Sequence, residues 1–100
     1  MAVAEIAVVP VGTGSASISD YVAGAIRIVK ASGLKFELTS MGTCVEGDVA
    51  SILELVRKMH EGGFNQGAVR VLTSVTLDDR RDKALSIDGK KAAVRSKTDT

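Results

Sequence analysis

The hydrophobic period changes repeatedly along these 100 residues, and the order of the changes leaves few folds open. Ala2 to Val11 alternates: Val3, Glu5, Ala7 and Val9 fall on one face of an extended chain, and Ala4, Ile6 and Val8 on the other. Ile18, Val22, Ala25, Ile26 and Val29 then recur at helical spacing and form one apolar stripe. Leu34 to Thr39 alternates again, Ser40-Met41-Gly42 reads as a turn, and Thr43 to Glu46 as a short third strand. Val49, Ile52, Leu53, Val56 and Met59 or His60 form a second helical stripe. Ala68 to Leu77 is the clearest strand, and Ser86 to Ser96 a short third helix anchored by Ile87 and Val94. The order is βαββαβ with a terminal helix, the α+β arrangement called ferredoxin-like. Right-handed crossovers carry both inner helices to one side of a four-stranded antiparallel sheet. The expectation is one covered face and one bare face, and a bare face with apolar residues invites a partner.

The punctuation agrees with this order. Pro10 cannot donate to a ladder and belongs near a strand end. Gly12 to Ser17 is a loop rich in glycine and hydroxyls. Ser17 or Ser19 is expected to cap the first helix, with Asp20 favouring its positive end. Gly33 is expected as a left-handed stop. Asp48 caps the second helix and Gly62-Gly63 ends it. The tail from Lys97 to Thr100 is expected to fray.

Length and composition narrow the function. One hundred residues make one domain, residues 1–100. The net charge of +1 gives no electrostatic case for nucleic acid or an anionic membrane. Tyr21, Phe36 and Phe64 are the only aromatic residues, too few for a base-stacking sheet. The single Cys44 cannot form a disulfide within the chain. No apolar run reaches membrane-spanning length, and the first residues lack a secretory pattern. A soluble, cytoplasmic protein is expected.

Chemistry concentrates in Met41-Gly42-Thr43-Cys44-Val45-Glu46-Gly47-Asp48, where a hydroxyl, a thiol and a carboxylate lie close in sequence. A carboxylate beside hydroxyls suits an amino-heterocycle, which offers N–H groups to accept from. The other reading of Glu46 is a solvent-facing residue before a helix. On an extended segment Cys44 and Glu46 share one face, and Thr43 and Val45 the other. Cys44 lacks a visible base and reads as a small hydrophobe. With one Cys and one His60, a soft-metal site within one subunit lacks ligands, and no metal or cofactor is expected. Arg80 and Arg81, in the balanced run Asp78-Asp79-Arg80-Arg81-Asp82-Lys83, suit either an anion or ion pairs between subunits. The absence of a nucleophile–base pattern argues against an enzyme.

These residues form a recognisable set. Pro10-x-Gly12-Thr13, Ser17-Ile18-Ser19-x-Tyr21-Val22, Ser32-Gly33-Leu34-Lys35-Phe36, Met41-Gly42-Thr43-x-Val45-Glu46-Gly47, and Arg70-Val71 with the Asp78–Lys83 run together resemble the small thiamine-binding protein family. The resemblance covers nearly the whole chain. It departs at Gly89, before Lys90-Lys91, where a better helix former is usual. It implies a ferredoxin-like fold, homodimers joined through their sheets and paired into tetramers. It also implies binding of thiamine or its hydroxymethylpyrimidine part without catalysis, with Ser17, Ser19, Thr43 and Glu46 nearest the ligand. The alternative is an oligomeric structural or regulatory module whose bare sheet face serves assembly, with an anion as its ligand.

Overall fold

A computed structural model describes residues 1–15 and 17–98. Ala16 of the expected loop, and Asp99 and Thr100 of the expected tail, lie outside the described residues. The elements are β1 (Ala2–Pro10), α1 (Ser19–Ser32), β2 (Lys35–Leu38), β3 (Thr43–Gly47), α2 (Val49–Asn65), β4 (Val71–Asp79) and α3 (Ile87–Thr98). The strands form one antiparallel sheet in the order β2-β3-β1-β4. This is the expected α+β arrangement.

Alternation decides what each strand buries. Ala2, Ala4, Ile6 and Val45 point to the helices and join Val29, Ile52, Leu55 and Met59 in the core. Ile6, Val29, Val45 and Ile52 are at most 1% exposed, so this layer carries the apolar burial that favours folding. In α2 the stripe runs through Ile52, Leu55 and Met59, whereas Leu53, expected inside, is 50% exposed. Leu55 and Ile52 are three apart and Met59 is four further on, so these share one helix face and Leu53 turns away from it. β4 starts and ends later than the Ala68–Leu77 expectation. Its register follows the length of β1, from Pro10 opposite Val71 to Ala2 opposite Asp79.

Capping matches the sequence in part. Gly33 sits at φ 75°, and its N–H donates to the Lys30 carbonyl, a left-handed stop that costs other residues strain. Asp48 caps α2 through the Ser51 N–H at 3.0 Å and the Ser51 hydroxyl at 2.6 Å. The Ser51 bonds hold the Asp48 carboxyl below its ordinary range. At α1, by contrast, Ile18 stands at the cap position and no side chain caps it. Ser17 and Ser19 meet each other instead, hydroxyl to hydroxyl at 3.4 Å.

Gly62-Gly63 does not end α2, which continues to Asn65. Both glycines are buried, and a Cβ on Gly62 would lie 2.6 Å from Ile28 Cδ1, one on Gly63 2.8 Å from Val71 Cγ2. They are there for close approach of α2 to α1 and β4, which offsets their low helix propensity. The chain leaves the helix at Gln66, whose N–H reaches back to the Gly62 and Gly63 carbonyls.

The second sheet face is not bare. After β4 the chain brings α3 over it, against side chains of β2, β3 and β4. Ile87 is the buried residue of α3, while Val94, the other expected anchor, is 61% exposed.

Candidate functional site

The helix side of the sheet holds an apolar cleft of about 140 Å³ between α1, the end of β1 and the β2–β3 turn. β1 contributes Ile6 and Val8, α1 contributes Val22 and Ile26 with Ile18 at its cap position, and β2 contributes Leu38. The turn Thr39–Gly42 forms the rim, with Thr43 and Met59 further in. Among the described residues no charged side chain lines it. Its size decides what it takes: a cavity of roughly 150 Å³ in another protein accommodates benzene, and drug-sized ligands need about 300 Å³ or more. The cleft fits one six-membered ring.

Thr43 is its polar feature. It is 5% exposed, points to the helix side opposite Ile6 and Leu38, and its hydroxyl has no hydrogen-bond partner among the described residues. The oxygen is not sealed in, so it adjoins the open space of the cleft. A hydroxyl in that position offers one donor and two acceptor lone pairs to a ring edge. The turn next to it is held by Thr39, whose hydroxyl donates to the Gly42 carbonyl at 2.8 Å and accepts from the Gly42 N–H at 3.1 Å.

The residues singled out in the sequence do not form one cluster. Thr43 faces the cleft. Ser17 and Ser19 flank Ile18, which is one of its walls, and both are exposed. Glu46 lies on the opposite face of the sheet, because three residues along a strand reverse the side-chain direction. There its carboxylate accepts from the Ile87 N–H at 2.9 Å and lies 3.8 Å from Lys35 Nζ. That is a helix-cap position for α3. Lys35 also reaches Asp88 at 2.5 Å, Lys91 reaches Glu37 at 2.9 Å and Lys90 reaches Asp78 at 2.6 Å. The hydrogen bond to Asp88 raises the Lys35 pKa, and the same bond lowers that of Asp88.

Cys44 lies on that second face, between its cross-strand neighbours Glu5 and Glu37. Burial pushes its thiol pKa up, and the two carboxylates add to the shift. His60 lies on the helix side, its Nδ1 2.7 Å from the Thr73 hydroxyl and its ring edge-on to Phe64. The sheet therefore separates the thiol from the imidazole. Arg80 pairs with Asp82, and Arg81 with Asp79 at 2.9 Å, beside an open hollow that also includes Met1 and Asp48. Among the described residues no group of three His, Cys, Asp or Glu is placed to hold a metal ion. No described helix is long and apolar enough to cross a membrane.

The sequence signal missed at this site was the apolar wall. Ile18 and Leu38 read as ordinary stripe and strand residues until the fold brings them around Thr43.

The family model described as thiamine-binding protein matches residues 4–95. The chain belongs to the thiamine-binding protein family. The UPF0045 protein YqgV of Bacillus subtilis (strain 168) is 37% identical over 94 residues, covering 90% of each chain. A relative from Methanothermobacter thermautotrophicus is 38% identical, covering 97% of this chain and 99% of its own. The crystal structure of a hypothetical protein from Methanocaldococcus jannaschii superposes with a TM-score of 0.87 at 40% identity, covering 93% of this chain and 94% of that one. A Thermotoga maritima structure shares the fold at a TM-score of 0.79 and 23% identity, covering 94% and 98%.

Proposed function

We propose that this chain is a small-molecule binding protein for thiamine or its hydroxymethylpyrimidine part, and that it binds without catalysing a reaction. One observation carries the reading: the buried, unpartnered Thr43 hydroxyl at the wall of an uncharged, ring-sized cleft. An aminopyrimidine is a flat ring with donors and acceptors on its edge, and an apolar slot with one oriented polar group suits it. Ser17 and Ser19 stand beside the cleft wall, where ring substituents would emerge. Glu46 serves α3 rather than the ligand within one chain. The family's description supports the reading, as does the role in thiamine biosynthesis or salvage suggested for the Thermotoga maritima fold neighbour.

The test is calorimetry and thermal shift with thiamine, its phosphates and free hydroxymethylpyrimidine. Saturable binding that raises the melting temperature is expected, through stabilisation of the folded state by its ligand. Thr43→Val should weaken it with the fold intact. No heat and no shift with any of these compounds would defeat the proposal.

Self-association is the second part of the reading. Val9 and Leu72 pair across β1 and β4 on the second face and are 38% and 58% exposed. With α3 covering only part of that face, this apolar strip favours a homodimer and a dimer of dimers. A monomer by sedimentation at micromolar concentration would count against it.

A further inference from the structure

Resting on that reading of the cleft, we infer that Met41 is the cover of the bound ring, the side chain that folds down on it and sets its preference for a flat aromatic ligand. Met41 lines the cleft yet is 81% exposed, so the rest of the chain gives it almost no packing. Its backbone, in contrast, is held. Thr39 Oγ1 accepts from the Met41 N–H at 3.4 Å and from the Gly42 N–H at 3.1 Å, and the Thr39 N–H donates to the Gly42 carbonyl at 2.8 Å. Gly42 approaches β1 so closely that a Cβ there would lie 2.9 Å from the Ile6 carbonyl oxygen. A fixed turn thus presents an unbranched side chain with three rotatable bonds at the point where the cleft opens to water.

The thioether is polarizable and favours contact with aromatic rings. Closing over the ligand removes water from its open side, and the hydrogen bond to Thr43 then acts in a lower dielectric. The side walls, Ile18 and Leu38, accept any apolar ligand of the right size. Met41 adds a reward for a π-face, which a saturated ring of equal volume does not offer.

The methionines provide their own controls. Met1 is 65% exposed and lies beside a different hollow, and Met59 is 2% exposed. Limited treatment with hydrogen peroxide transfers one oxygen to an accessible thioether, giving sulfoxide and water. Peptide mass spectrometry reads the rate at each position. In protein saturated with hydroxymethylpyrimidine, Met41 oxidation should slow by about fivefold or more while Met1 is unchanged. An unchanged Met41 rate in the saturated protein overturns the inference. So does slowing that appears without ligand as protein concentration rises, because the cover would then belong to a subunit contact. In calorimetry Met41→Ala should weaken binding about tenfold and Met41→Leu by no more than about threefold, the step of 1.4 kcal/mol per decade fixing the scale. Both variants should melt as the parent does. Equal affinity in Met41→Ala removes the cover and leaves the binding reading standing, whereas no binding by the parent protein removes both.

Discussion

On the helix side of the sheet, Ile6, Val45, Ile52 and Leu55 pack as an apolar layer, and the cleft beside them carries no charge. On the other side, α3 has one buried residue, Ile87, and is otherwise fastened by Lys35, Lys90 and Lys91 to Asp88, Asp78 and Glu37, with Glu46 at its start. The contrast teaches where each kind of force is useful. Apolar burial is non-directional and fixes the body of the fold. Exposed ion pairs are weak and salt-sensitive, but they place a helix on a polar surface that offers it little to bury.

The sharpest way to break the first side is Ile52→Ala. Its side chain is fully buried, so the loss of burial and the cavity left behind should cost about 2–5 kcal/mol in urea unfolding. On the second side, Glu46→Ala removes the acceptor for the Ile87 N–H, a loss of about 1 kcal/mol by analogy with other caps. Amide exchange should quicken in α3 and stay slow in α2, and ring-ligand affinity should hold. Equal loss of protection in both helices would show that the two sides are not separable. Thr43→Val is the converse: stability within about 0.5 kcal/mol of the parent, because no protein hydrogen bond is lost, and ligand affinity down about tenfold.

Solution conditions should give the smallest effects. In about 1 M salt the screening length falls to roughly 3 Å, and α3 should exchange faster while the cleft keeps its affinity. Proton dependence follows from two opposed shifts. Asp88 is held below its ordinary 3.8, so its contribution is present above that value and disappears as pH falls through the lower folded value. Lys35 is held above its ordinary 10.5, so its contribution is present below that value and disappears as pH rises through the higher folded value. Protection of α3 should therefore be flat between these limits and fall outside them.

The strand faces were readable from the sequence because a period of two leaves one solution once one face is buried. The two crossovers were readable for the same reason. The glycines in α2 were not: Gly62 and Gly63 look like a stop until Ile28 and Val71 are seen to need their missing side chains. Nor was the path of α3, whose composition favours no face strongly and whose ion pairs reach two different strands, β2 and β4. The grouping of Thr43 with Glu46 at one ligand came from the family resemblance and from closeness along the chain, against the alternation already read in Thr43 to Glu46. Alternation separates them by the thickness of the sheet, a separation the side-chain period contains but a compact motif conceals. Ser17 or Ser19 was expected to cap α1, and the two instead contact one another beside the cleft wall.

The placement of β1 has a consequence for how the chain is made. β1 lies between β3 and β4, and its whole length, Ala2 to Pro10, pairs with Val71 to Asp79. Of the four described strands, β1 must wait for β4, the furthest from it in sequence. A nascent chain that has reached only α2 can pair β1 with β3, but its longer edge stays open, with backbone groups ready to hydrogen-bond to any extended neighbour. Closing that edge joins distant parts of the sequence, the slow kind of contact in folding. Until Val71 to Asp79 is in place, the sheet therefore keeps its most exposed edge along its own central strand.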